Sequence, residues 1–304
     1  MNKRLSRTEM LISLGFLFML VCTVGAFFFG VQVGTDRTTA NYEVQKQLNS
    51  KPVTSTALQQ QDLVSFYHTV FMPYREFQSE WIDLIEQANV KQTTDFPSDL
   101  KRMSSLAQQK FNEISAIKVP ASSLLEQSQQ QLLKSLSGFQ ADSKKLSVSG
   151  SSQSVDQLLA AMRKDDNYKQ GVSQSLHGQQ SYYDAMLKWA AGMNHDIPSE
   201  IVMPKDMKTA SWSKLPLAAK NKLSADILTA NGMLVNYYPQ DLTSRIDEFI
   251  SSGQAGKLKL GLIGPISELL ADTKAIRSGD YKSNMSRLYS NQVLPQLPFF
   301  LPGE

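Results

Sequence analysis

The sequence predicts an all-α protein, in which an N-terminal transmembrane helix is followed by an up-down helical bundle and a second small helical unit. Three observations support this fold class. A long uncharged run lies near the N-terminus, and through most of the remaining chain apolar residues recur at intervals of three and four, as they do along one face of an α-helix. We find no convincing alternation of apolar and polar residues over a β-branched run, which a half-buried strand would produce.

The N-terminal run is long enough to span a membrane. No charged residue occurs at positions 10–33, and a spanning helix needs about 20 predominantly apolar residues. Lys3, Arg4 and Arg7 precede the run, and Asp36 follows it. Because Lys and Arg favour the cytoplasmic side, we expect the N-terminus in the cytoplasm and the C-terminal part outside the plasma membrane.

Two other interpretations of the run are weaker. A cleaved signal peptide usually has an apolar core of about 7–15 residues and a small-residue exit site, whereas this run is longer and ends in the bulky stretch 27–31. A lipoprotein needs a small residue before its cysteine, and Val21 precedes Cys22. We therefore expect an uncleaved signal anchor.

One stripe of the predicted membrane helix carries small residues. Cys22, Ala26, Gly30 and Gly34 recur at every fourth position, and residues four apart lie on one helix face. Small residues allow two membrane helices to approach closely. This stripe predicts a homodimer or a partner transmembrane helix, although small residues are also frequent in membrane helices for other reasons.

The pattern after the anchor predicts a stalk and then a bundle. Four amphipathic patterns follow the break at Lys51-Pro52, and the short connections between them favour antiparallel neighbours. Ser154 and Gln157 match a capping box at the start of the fourth pattern, which breaks near 165–167. The predicted divisions are a cytoplasmic N-terminus at 1–9, a transmembrane helix at 10–34, a stalk at 35–54 and a four-helix bundle at 55–195.

The rest of the chain predicts a linker at 196–212 and a C-terminal helical domain at 213–304. Pro198 and Pro204 interrupt the linker. Helices are expected at about 213–230, 240–252, 265–277 and 280–290, with a left-handed cap at Asn231-Gly232. The apolar tail at 293–302 contains three prolines, so it cannot be helical. We expect it to pack back across this second unit; a docking peptide for a partner is the alternative.

Composition excludes several classes of function. The formal net charge is +3, too small to indicate a nucleic-acid partner. Cys22 is the one cysteine of the chain and lies in the predicted anchor. The exported part therefore has no thiol for a disulfide or for metal binding, and its sequence is typical of a bacterial envelope protein.

No motif in the sequence indicates chemistry. His68, His177 and His195 lie far apart and belong to no metal-binding motif. Two Ser-x-x-Lys pairs begin at Ser115 and Ser211, but the companion motifs of penicillin-binding enzymes are missing. We predict no catalytic residue, no metal site and no cofactor.

The predicted function is that of a membrane-anchored extracytoplasmic helical protein. It would serve as a non-enzymatic interaction or scaffold component of a bacterial cell envelope, with another envelope protein as its partner. An alternative is an extracytoplasmic sensor or regulator coupled to a membrane partner, since residues 1–9 are too short for an output domain. A remote alternative, a cell-wall enzyme, has no positive support in the sequence.

Overall fold

The computed structural model describes residues 58–90, 93, 95–119, 122–149, 153–289 and 292–301. These residues belong to one compact unit that covers Thr56–Glu304. The predicted cytoplasmic N-terminus, transmembrane helix and stalk at 1–54 lie outside the described residues. Within the described ranges, no helix combines the length and the apolar character that a membrane span requires.

The described part consists of helices joined by loops and contains no strand, which confirms the all-α prediction. Its one β feature is an isolated antiparallel bridge between Lys208 and Leu262. The helices of the first half are α1 (Gln60–Phe66), α2 (Met72–Asn89), α3 (Phe96–Ser115), α4 (Ser123–Ser149), α5 (Val155–Lys164) and α6 (Asp166–Met193).

A π-helical turn, Tyr67–Phe71, joins α1 to α2 without a break. Pro73 lies in the first turn of α2, where its ring and its missing N–H prevent regular α-helical bonding to the turn before it. A π turn inserts one extra residue into a helix. We attribute the position of the π turn to this proline.

The start of α5 and the break before α6 confirm two local predictions. The Ser154 hydroxyl accepts a hydrogen bond from the Gln157 N–H at 3.3 Å, and the Gln157 side chain accepts one from the Ser154 N–H at 2.9 Å. The helix then ends at Lys164, and Asp165 caps α6 by accepting from the Asn167 N–H at 2.8 Å.

Neighbouring helices of the first half pack as in a helical bundle. Lys110 of α3 pairs with Glu76 of α2 at 2.6 Å, and Ser104 of α3 donates to the Gln140 carbonyl of α4 at 3.2 Å. Further along α3, the Ile114 carbonyl accepts from Gln129, which lies earlier in α4. Positions that rise along α3 thus meet positions that fall along α4, so these two helices are antiparallel.

Glycines bring α4 and α6 unusually close together. Ser128 donates to the Gly178 carbonyl at 2.7 Å, and Ser135 donates to the Gly171 carbonyl at 2.6 Å. A Cβ atom on Gly138 would lie 2.6 Å from the backbone oxygen of Asn167 in α6. The contact between these helices therefore depends on the absence of side chains.

The second half of the chain is also helical. Its helices are α7 (Thr209–Trp212), α8 (Leu217–Ala230), α9 (Pro239–Ser251), α10 (Gln254–Lys257), α11 (Ile263–Asp272) and α12 (Asp280–Leu288). Gly232 follows α8 with a φ of 62°, as its predicted left-handed cap requires. The helix predicted at 213–230 begins only after Pro216, and the helix predicted at 265–277 ends at Asp272.

Two apolar cores meet at α8. Leu217 and Ala219 of this helix contribute to the core of the bundle, whereas Leu223 and Leu228 contribute to a second core with Trp212. Because α8 is covered on both sides, even Lys220 and Lys222 are buried. The prediction of separate domains at 55–195 and 213–304, with a linker at 196–212, remains a prediction.

Candidate functional site

The small-residue stripe that the sequence singles out lies outside the described residues. The structure therefore does not place Cys22, Ala26, Gly30 or Gly34. The three histidines and both Ser-x-x-Lys pairs lie within the described residues.

The three histidines do not converge. His68 and His195 are exposed and His177 is half-buried, and the Nδ1 atom of His177 lies 2.7 Å from the Ser173 carbonyl of its own helix. In the ranges that the structure covers, no group of three His, Cys, Asp or Glu side chains has the arrangement of a metal site. Ser115 and Ser211 are likewise exposed, and Ser115 donates to the Asn112 carbonyl.

The C-terminal tail occupies an aromatic cleft. The tail is defined here as residues 292–301, and the tyrosine cleft is formed by the rings of Tyr67, Tyr238 and Tyr281. Phe299 of the tail stacks on Tyr238, with ring centroids 5.1 Å apart, and meets the edge of Tyr67 at 5.3 Å. Phe300 packs edge-on against Tyr281 at 5.8 Å. Aromatic contacts at these separations add to the free energy of area burial.

Burial alternates along the tail. Pro295, Leu297 and Phe299 are buried, whereas Gln296 and Pro298 between them are exposed. This period of two is typical of an extended segment that lies on a surface with one side facing inward. The tail therefore contacts the body through every second side chain, until a turn at 298–300 also buries Phe300.

Side chains hold the tail in place. The Leu297 N–H donates to the Pro295 carbonyl and the Phe300 N–H donates to the Leu297 carbonyl, both at 2.8 Å and both within the tail. Among the described residues, no backbone–backbone hydrogen bond joins 293–301 to the rest of the body. The segment is thus docked by insertion of apolar anchors, and it does not extend a sheet or a helix.

Asp241 positions two of the three cleft tyrosines. Its carboxylate accepts from the backbone N–H of Tyr238 at 2.9 Å and from the backbone N–H of Tyr281 at 3.0 Å. The side chain is buried. Burial raises the pKa of Asp241 to about 6, and the backbone donors of Tyr281 and Tyr238 act against that increase.

The bundle fixes the loop that carries Tyr238. Arg75 of α2 donates to the Asn236 carbonyl at 2.7 Å and to the Val235 carbonyl at 3.3 Å. Its guanidinium carbon also lies 4.5 Å from the centre of the Tyr238 ring, within the range of a cation–π interaction. Gln78 donates to the Val235 carbonyl as well, so two side chains of α2 hold this side of the cleft.

A polar network supports Tyr281 through its neighbour Tyr289. Tyr289 stacks on Tyr281 with ring centroids 5.4 Å apart, and its hydroxyl donates to Asp247 at 2.8 Å. Asp247 also accepts from Lys220 at 2.9 Å and from the Trp212 indole at 2.8 Å. This carboxylate therefore has three donors from different segments, as a buried charge requires.

Burial keeps the hydroxyls of Tyr67 and Tyr281 protonated. Burial raises the pKa of Tyr67 to about 12, and Tyr238 contributes in the same direction. Burial alone raises the pKa of Tyr281 to about 12. Neither of these two side chains is therefore a phenolate at neutral pH, and both present an aromatic surface to the tail.

Asp142 of α4 is a second buried carboxylate and does not belong to the tyrosine cleft. It is fully buried on α4, and neither carboxylate oxygen has a hydrogen-bond partner among the described residues. Burial raises its pKa to about 7; the nearby Asp165 carboxylate adds to the increase, and Lys145 opposes it. Asp142 is therefore an ionisable group held in an environment that disfavours its charged form.

The sequence pattern marks Asp142 as unusual, but it does not indicate the role of Tyr281. Asp142 lies three residues after Phe139 and four before Leu146, on the apolar stripe of α4, where a carboxylate is conspicuous. Tyr281 gives no such signal, because its contact to Asp241 joins residues 40 positions apart. Comparison with protein-family models, curated proteins and solved structures found no match to the chain.

Proposed function

We propose that the chain is a membrane-anchored extracytoplasmic interaction component of a bacterial cell envelope, with a non-enzymatic binding or scaffold role. The N-terminal sequence supports the anchor and its orientation, since 24 positions from Met10 to Val33 contain no charge and follow a basic N-terminus. The helical body would then be held outside the plasma membrane on the stalk at 35–54.

One observation carries the binding role. The tyrosine cleft holds an extended segment whose Phe299 and Phe300 pack against rings from three separate elements. Leu297 of the same segment is buried. Aromatic-lined grooves that accept proline-containing extended segments are a recurring form of peptide recognition. The cleft therefore has the composition and the form of a peptide-binding surface.

A regulatory role is the second candidate, and the stripe Cys22, Ala26, Gly30 and Gly34 favours it. In this role a signal from the exterior body would pass to a membrane partner. This stripe is the feature of the sequence that could contact such a partner.

In-cell crosslinking of the tagged full-length chain tests the proposal. The control is the same chain with an unrelated transmembrane helix in place of residues 10–34. Envelope proteins captured by both chains support an interaction role of the exterior body, and proteins captured by the native chain alone support the regulatory role. If neither chain captures another polypeptide, the interaction role is wrong.

An alkaline phosphatase fusion after Glu304 tests the orientation separately. The enzyme is active only outside the cytoplasm, so we expect an active fusion. An inactive fusion that is produced at full length would contradict the extracytoplasmic placement.

A further inference from the structure

The tyrosine cleft and the tail are complementary parts of one chain. Pro295, Leu297 and Phe299 face inward, and Phe299 contacts two tyrosines of the cleft. The tail follows α12 along the chain. An extended segment that is held by side-chain anchors has the properties of a ligand joined to its own receptor.

We propose that the tyrosine cleft also accepts the tail of a second copy of this chain, so that two copies associate by exchanging their C-terminal segments. This inference rests on the proposed interaction role and names its partner. Exchange of an identical element is a low-cost route to a dimer, because each cleft regains the contacts that it loses.

The segment that lies in the cleft indicates that the partner is a second copy of the chain. The one peptide that the structure shows in the cleft is the sequence of this tail, including Pro295, Pro298 and the pair Phe299-Phe300. A second copy supplies this segment with the same chemistry. No further charge has to be buried, because the inward-facing side chains of the tail are apolar.

Membrane anchoring would allow the tail of a second copy to compete with a chain's own tail for the cleft. A tail on its own chain has an effective concentration in the millimolar range, so its cleft is normally filled by its own tail. Two copies paired through the small-residue stripe at 22–34 would bring the second tail to a similar local concentration. The exchange is therefore expected between anchored neighbours and is disfavoured between dilute, separate chains.

Two complementary variants of the full chain test the exchange in detergent. The tail variant carries Phe299→Ser and Phe300→Ser, and it retains an intact cleft. The cleft variant carries Tyr67→Ala and Tyr238→Ala, and it retains an intact tail. Neither variant can dock its tail in its own cleft, but the tail of the second fits the cleft of the first.

Differently tagged samples are mixed, and their co-purification is measured. We expect the tail variant to capture the cleft variant several-fold more than either variant captures itself, since pairing of the membrane helices alone is equal in all mixtures. Thermal unfolding gives a second measurement, and the mixture should unfold several degrees above either variant alone. Equal capture in all mixtures would overturn the exchange.

A synthetic peptide of residues 292–304 separates recognition from exchange. It should raise the unfolding temperature of the tail variant, whereas a peptide with serine in place of both phenylalanines should not.

If the peptide binds but the cleft variant is not captured, exchange between copies is wrong. If the tail variant lacks helical circular dichroism and neither peptide nor cleft variant restores it, the tail is an inseparable part of the core, and the inference fails. Either failure leaves the proposed function standing if in-cell crosslinking captures other envelope proteins.

Discussion

Asp241 accepts a hydrogen bond at 3.0 Å from the backbone N–H of Tyr281, a residue 40 positions further along the chain. The same carboxylate accepts from the N–H of Tyr238. One buried side chain thus fixes the backbone at two of the three tyrosines that contact the phenylalanines of the tail. This arrangement joins α9, α12 and the C-terminal segment into one site.

Replacement of Asp241 by alanine should destabilise the protein by about 2–4 kcal/mol, because two backbone donors lose their buried acceptor. Asp62→Ala is the matched control. Asp62 also accepts a backbone N–H at the start of a helix, from Gln59 at 2.9 Å, but this hydrogen bond is exposed. Urea unfolding followed by circular dichroism measures both. Equal losses in the two variants would contradict the role of Asp241 in the cleft.

Phe299→Ala should destabilise the protein by about 3–5 kcal/mol, since it removes a buried aromatic side chain and leaves a cavity. Leu301→Ala is its control two residues later, because Leu301 is 44% exposed. We expect the control to change the free energy of unfolding by less than about 0.5 kcal/mol. A similar effect of both substitutions would show that the tail is not anchored through Phe299.

Gly138→Ala should destabilise the bundle by about 1–3 kcal/mol, because the new Cβ would lie 2.6 Å from the Asn167 backbone oxygen and 2.9 Å from the Gly171 nitrogen. Gly192→Ala tests the same substitution where no atom lies within 4 Å. It should instead stabilise α6 by up to about 1 kcal/mol through helix propensity. Unfolding midpoints that change in the same direction for both variants would contradict the close packing of α4 on α6.

Asp142→Asn should remove a pH dependence of stability. The folded chain holds the Asp142 proton up to a pKa of about 7, against an ordinary value of 3.8, so between these values the folded state binds more protons than the unfolded state. The stability of the parent chain must then fall as the pH rises from about 4 to 7. The asparagine variant lacks this loss, and we expect its advantage to grow by about 1–3 kcal/mol between pH 4.5 and pH 8.

Urea titrations at several pH values measure this difference. Asp241, whose pKa burial also raises, is present in both chains and cancels in the comparison. Asp166→Asn is the control, because the Asp166 side chain is 98% exposed. An advantage of the Asp142 variant that does not change with pH would mean that the carboxylate is not held in its neutral form.

Periodicity was sufficient to predict most of the helices, because each has one apolar face and one solvated face. The stripe of α2, with Phe77, Trp81 and Leu84, is buried as the spacing of threes and fours requires. Capping chemistry predicted the start of α5, since Ser154 and Gln157 satisfy each other within one turn. Periodicity and capping depend on residues a few positions apart, so a single sequence is sufficient to recognise them.

The remaining features depend on contacts between distant segments. Helix α8 has a weak amphipathic pattern because both of its sides are covered, so its bounds at Pro216 and its position between two cores do not follow from spacing. The sequence predicts that the tail packs across the second unit. The structure adds that Phe299 also contacts Tyr67 of the bundle. The short helices α7 and α10 each contain four residues, too few for a periodic signal.

The most direct test of the account uses a photo-crosslinking amino acid at position 301 of the full-length, membrane-anchored chain in living cells. This exposed position follows the two buried phenylalanines of the tail. We predict adducts in which the tail of one copy is joined to the tyrosine cleft of another, recognisable by mass spectrometry when two differently tagged copies are produced together. Adducts that form exclusively within single chains would contradict an exchangeable tail and a cleft that serves as an interaction surface between copies.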